Sequence, residues 1–368
     1  MNAARLALWR QARDILCVRL DQMGDVLMCT PAMRALKNAD NRRRLTLLSS
    51  SSGAMLAPYL PELEAAIAYG APWMKSADIH DSKNDLDMVA AFQARRFDAA
   101  VIFSSYTQSA LPAALLCTLA GIPLRLAHCR ENPYQLLTDW VPDPEPDTVV
   151  RHEVRRQIDL VASVGCSREA LPLSFRVPAA DKASIRRRLE SMGIARGQPW
   201  VVLHTGASAA SRRYPARLWA IVARQLRQRL GCMLVFTGSS DEAEAIASIR
   251  REAACDSPLA SRSLAGELDL GKLAALIAQA PVVVSNNTGP AHLCAALGTP
   301  VVDLYALTNP QHTPWQVVSR VLFADVPCRF CLRSVCPHGH HACLAGVAPG
   351  RVVAAVAELL QCARRAVA

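Results

Sequence analysis

Short apolar runs rich in β-branched residues alternate along the chain with longer stretches whose apolar positions recur at helical spacing. In the first half, Ile15–Leu20, Leu45–Leu48 and Ala99–Phe103 predict strands, and TPAMRALKNA and Leu86–Arg96 predict helices between them. The alternation restarts at Trp200–His204 and continues through Met233–Thr237, Val282–Ser285 and Val301–Tyr305. Helical patterns at Ala216–Leu230, Asp241–Ala253, Leu270–Ala280 and Pro290–Leu297 separate those strands, as a parallel sheet with crossover helices requires.

Two proline-bearing stretches interrupt this pattern. Pro142, Pro144 and Pro146, interleaved with Asp143 and Glu145, predict a stiff, solvated break, and a second stretch spans Leu171–Pro178. The helix-like RHEVRRQIDLVASVG lies between them. A chain of 368 residues is long enough for two domains. The expected division is therefore a Rossmann-like domain over 1–178, a second over 179–350 and a closing helix over 351–368.

Composition narrows the class. Hydrophobic residues make up 51% and charged residues 20%, which excludes a largely disordered chain. The amino-terminal MNAARLALWRQARDILCVRL is broken by charge too often for an export signal. The uncharged stretches Ala99–Leu124 and Leu273–Val302 carry internal prolines and glycines, so they read as strand, loop and helix of a core and not as membrane spans. Thirteen cysteines without an export signal fit a reducing, cytoplasmic compartment, where Cys17, Cys117 and Cys232 serve as small buried apolar residues. The net charge of +10 suits an anionic partner or plain solubility. Arg42–Arg44 and Arg186–Arg188 lack interleaved aromatics, so nucleic acid is not expected as a partner.

Three segments carry candidate chemistry. In RLDQMGDVLMCTPAMRALK, Gly24 is expected to turn the chain out of the first strand and to set Asp25 at a helix start. There a carboxylate can act as general base on a sugar hydroxyl, or simply cap the helix. In VVLHTGASAASRRYP, small residues including Thr205 and Gly206 let a diphosphate approach the backbone, and Arg212 and Arg213 can neutralise it or remain solvated. In VVVSNNTGPAHLCAALGTPVVDLY, Asn287 or Thr288 can cap a helix starting near Pro290, Gly289 permits close approach, and the helix start offers N–H groups to a phosphate. His292 can reach the same anion or serve structure.

The order and spacing of these segments resemble glycosyltransferase family 9, the ADP-heptose:lipopolysaccharide heptosyltransferases. The likeness includes the GSSDEAEAI stretch and the CPHGHHACL tail. It implies an α/β GT-B fold, two Rossmann-like doubly wound domains facing a central cleft, with acceptor on the first and ADP-heptose on the second. The implied reaction is transfer with inversion to a lipopolysaccharide core or related glycan. Asp25 then matches the catalytic base, Arg212 a phosphate-contacting lysine position, Glu242 an acidic position near the nucleoside, and Thr288 and Gly289 the diphosphate loop. Three residues depart from the family pattern: Asn287 stands for Asp, Thr205 for Pro and Arg212 for Lys. The implied partners are an ADP-sugar donor and an anionic glycolipid acceptor met peripherally at the inner membrane. No cofactor is implied for catalysis.

Cys328, Cys331, Cys336 and Cys343, flanked by His338, His340 and His341, read either as a tetrahedral knuckle for structural zinc or iron or as cysteines without metal. Some family 9 proteins look similar here, one group with an iron-binding finger. Two other functions fit the chain less well. One is a family relative using another nucleotide sugar or glycosylating a protein. The other is a metal-knuckle protein binding nucleic acid.

Overall fold

In the computed structural model of the chain, residues 3–75, 81–194 and 198–367 are described. The chain divides into two units, Met1–Arg176 and Val177–Ala368. In the first, the strands are β1 (Asp14–Val18), β2 (Arg44–Ser49), β3 (Ala65–Ala68), β4 (Ala99–Ile102), β5 (Leu124–Cys129) and β6 (Asp139–Pro142). In the second, they are β7 (Trp200–His204), β8 (Met233–Thr237), β9 (Ser261–Ser263), β10 (Val283–Asn286), β11 (Val301–Leu304) and β12 (Ser319–Leu322).

Each unit forms one parallel sheet, in the orders β3-β2-β1-β4-β5-β6 and β12-β11-β10-β7-β8-β9. The central strands are apolar without alternation because helices cover both faces; Ile15, Leu16 and Cys17 of β1 and Val201, Val202 and Leu203 of β7 are all fully buried. Both sheets grow outward from their first strand in one direction and then in the other. The order therefore reverses between β1 and β4 and between β7 and β10, the places where open α/β sheets open a crevice at their carboxyl ends.

The helix Ala216–Leu230 shows how a crossover is specified. Leu218, Trp219, Val222 and Leu226 recur on one face and pack into the core of the second unit. Gly231 ends the helix with φ of 62°, and its N–H bonds the carbonyl of Arg227 at 3.1 Å. Tyr214 packs edge-on against Trp219 at 5.6 Å. The expected buried roles of Cys17, Cys117 and Cys232 hold, and burial pushes the Cys17 and Cys117 thiols up to about 12.

Several expectations need correction. Residues Leu20–Gln22 leave β1, whereas Gly24 is buried in the first turn of the helix Met23–Ala39 and makes no turn. The acids of the proline stretch are not solvated: Asp143 and Glu145 both pair with Arg156, and Glu145 and Arg156 are closed to solvent. Asp241–Ala253 splits into a 3-10 turn, Ser240–Glu242, and the helix Ala243–Glu252. The closing helix, expected over 351–368, runs Pro349–Val367, and residue 368 lies outside the described residues. Among the described residues no helix is long and apolar enough to cross a membrane.

Candidate functional site

In the first unit the candidate residues gather at the carboxyl end of β1. Arg19 follows the strand and is buried, yet its guanidinium meets three carboxylates: Asp21 at 2.8 Å, Asp25 at 3.3 Å and Glu153 at 2.6 Å. Glu153 arrives from the helix Glu153–Ala162 and also accepts from Gln157 Nε2 at 2.9 Å. Desolvation pushes the Asp21 carboxyl above its usual range, against the pull of Arg19 and of a hydrogen bond from Gln108.

Asp25 stands at the third position of the helix Met23–Ala39, within a reciprocal capping box with Gln22. Its Oδ2 accepts the Gln22 N–H at 3.2 Å while Oδ1 faces Arg19. Both contacts leave 22% of the side chain open to solvent, so capping does not use up the carboxylate.

In the second unit the loop after β7 carries Thr205, Gly206 and Arg212. Asn286 at the end of β10 pins it: the amide donates to the carbonyls of Thr205 at 2.8 Å and Gly206 at 3.1 Å, and its oxygen accepts the Tyr214 N–H at 3.1 Å. The Glu242 carboxylate lies against Gly206 and Gly238, so that a Cβ on either would overlap it. Glu242 is fixed there by a capping box with Ser239, whose N–H it accepts at 2.9 Å. Burial lowers His204 to about 4, with Glu242 opposing, and its Nδ1 sits 3.1 Å from Thr237 Oγ1.

The helix Gly289–Leu297 starts beside this loop. Thr288 takes the cap position, but no side chain caps the helix: the Thr288 hydroxyl donates backwards to the carbonyl of Asn286 at 3.2 Å. Asn287 turns inward instead and donates to Asp303 at 3.3 Å and to the carbonyl of His312 at 3.1 Å. The expected side-chain cap from either residue is thus absent, because buried Asp303 claims the one amide and the carbonyl of Asn286 the other hydroxyl. A helix start left uncapped keeps its N–H groups and positive dipole end for an anion. His292 is buried in the first turn of this helix. Burial raises Asp303 to about 7, opposed by the Asn287 hydrogen bond and the charge of Arg212.

The cysteine segment supports the same loop. Ser211 donates its N–H to the carbonyl of Ser334 at 3.0 Å and its hydroxyl to that of Arg333 at 2.8 Å. Cys328, Cys331, Cys336 and Cys343 are partly exposed, and Cys328 Sγ lies 3.9 Å from His340 Nε2. Thiols and imidazoles suit zinc or iron. Among the described residues no three His, Cys, Asp or Glu side chains are arranged to hold a metal ion.

Arg19, Asp21, Glu153, Asn286 and Asp303 were absent from the sequence-based candidates. Asp303 and the Arg19–Asp21 pair had a signal, since each places charge within or directly after an apolar strand run. Glu153 and Asn286 had none, for only the fold brings them to their partners.

Two doubly wound parallel sheets of this order are the architecture of the GT-B class of α/β proteins. The family model "Glycosyltransferase family 9 (heptosyltransferase)" matches residues 88–342, and the chain belongs to that family. Lipopolysaccharide heptosyltransferase 2 of Escherichia coli (strain K12) is 26% identical over 353 residues, covering 94% of this chain and 98% of that protein. The structure of a family 9 glycosyl transferase from Veillonella parvula DSM 2008 superposes with a TM-score of 0.75 at 19% identity, covering 95% of this chain and 97% of that one. That of E. coli ADP-heptose lps heptosyltransferase II superposes with 0.72 at 24% identity, covering 95% and 98%.

Proposed function

We propose that this glycosyltransferase moves heptose from ADP-heptose to a hydroxyl of the lipopolysaccharide core, with inversion at the anomeric carbon. The observation that supports it best is Asp25: a partly open carboxylate, oriented by a cap bond and a buried arginine, at the carboxyl end of the first strand. The acceptor oxygen forms a bond to the anomeric carbon as the bond from that carbon to the diphosphate oxygen breaks. Asp25 takes the hydroxyl proton, and the electron pair leaves with ADP.

The charge that develops on the diphosphate is met by Arg212 and by the uncapped helix start at Thr288 and Gly289, within the loop region of Thr205 and Gly206. Glu242 and Asn287 shape the donor site beside them, and His292 sits in the first helical turn. The likeness to E. coli ADP-heptose lps heptosyltransferase II motivates the donor. The net charge of +10 favours an anionic glycolipid acceptor met at the inner membrane face from the cytoplasm. Purified protein incubated with ADP-heptose and heptose-deficient lipopolysaccharide should add one heptose by mass, with the anomeric configuration inverted by NMR. Addition from GDP- or UDP-sugars alone would refute the donor assignment, and a retained configuration would refute the inversion.

A further inference from the structure

The carboxyl end of the first sheet holds a cavity of about 260 Å³ at the reversal between β1 and β4. Val18 and Ile102, the last residues of those two strands, line its apolar floor, and Trp73 lines a wall. Trp73 is steadied by an edge-on contact with Tyr69 at 5.9 Å, and the Tyr69 hydroxyl donates to Asp85 at 2.5 Å. Asp21, Gln108 and Thr107 supply polar groups to the same cavity. Gln108 Nε2 donates to Asp21 Oδ1 at 2.6 Å, and its Oε1 accepts the Ser105 N–H at 3.3 Å.

This lining selects by chemistry. Among the described residues no lysine or arginine lines the cavity and Asp21 does, so a phosphate or a diphosphate is disfavoured. A purely aliphatic ligand would leave the polar groups of Asp21 and Gln108 buried against it, at a cost. A neutral pyranose ring satisfies both halves, with its C–H face on the aromatic and aliphatic walls and its hydroxyls on the carboxylate and amide. The volume lies below the range for drug-sized ligands and suits a single ring. Arg19 joins this cavity to the candidate base, since one guanidinium forms ion pairs with both Asp21 and Asp25.

We infer that this cavity is the subsite for an uncharged sugar ring of the acceptor, with Asp21 and Gln108 holding its hydroxyls and Trp73 packing on its apolar face. The assignment rests on the transferase reading of the chain, although binding alone can test it. Calorimetry with a lipid-free lipopolysaccharide inner-core oligosaccharide, without donor, should show binding to the wild type. Gln108→Ala and Trp73→Ala should each weaken it about tenfold, the size of one lost hydrogen bond or packed ring, and Trp73→Phe should keep most of it. ADP affinity should stay unchanged in all three. Melting temperatures verify folding, and Thr107→Val substitutes for any variant that unfolds. Undetectable oligosaccharide binding by the wild type, unchanged affinity in the folded variants, or a loss of ADP affinity in its place would overturn the assignment. Oligosaccharide binding without transfer from any nucleotide sugar would instead refute the transferase reading and leave the subsite standing.

Discussion

Arg19 and Glu153 bond at 2.6 Å with both side chains closed to solvent, the one at the end of β1 and the other 134 residues further along. A buried pair of this kind contributes little against an apolar replacement, but removing one partner strands the other. Arg19→Met should therefore destabilise the protein by about 3–5 kcal/mol in urea unfolding. Adding Glu153→Gln should return a large part of that loss. If the double variant is no more stable than the single one, the pair is not coupled.

Asp303 makes stability depend on pH in a specific direction. Its carboxyl is raised from 3.8 to about 7 in the fold by burial. Between those values the folded chain keeps a proton that the unfolded chain has released, so stability is full below about pH 4 and is lost as pH rises through about 7. Asp303→Asn should remove that decline and gain on the order of 3 kcal/mol at pH 8, with no gain at pH 4. Parallel stability curves for the two proteins across this range would show that Asp303 ionises normally.

Much of the fold was legible because the central strands are continuous apolar runs. Trp200–His204 and Met233–Thr237 match β7 and β8 residue for residue. The strands β9 (Ser-Arg-Ser) and β12 (Ser-Arg-Val-Leu) were not legible, since they lie at sheet edges where one side needs no apolar partner. Asp25 could be read from its helix-start position. The pairing of Arg19, which faces it, with Glu153, and the inward turn of Asn287 toward Asp303, could not, because both are contacts between segments that only the folded chain brings together.

Gly206 and Glu242 should behave as one unit. A Cβ at Gly206 would occupy the space of the Glu242 carboxylate, which the Ser239 capping box otherwise holds in place. Gly206→Ala should lower both melting temperature and ADP affinity. Gly206→Ala combined with Glu242→Ala should recover stability, with an interaction energy of about 0.5–3 kcal/mol in the double-mutant cycle. Strictly additive effects would mean that the glycine is needed for some other reason.

Arg212 is assigned to the departing diphosphate. Arg212→Ala should weaken ADP binding in calorimetry by about ten- to a hundredfold, the loss expected for charge-assisted bonds, while the acceptor KM stays within twofold. Arg212→Lys should restore part of the affinity, because it returns the charge without the planar fork. Unchanged ADP affinity in the alanine variant would make Arg212 a surface residue.

Asp25 bears the main claim, that the first unit supplies the base for transfer. Single-turnover heptose transfer by Asp25→Ala, with ADP-heptose affinity measured on the same sample, tests it most directly. The rate should fall by a factor of about 10²–10⁴ while donor affinity stays unchanged. Transfer at the wild-type rate would contradict the assignment.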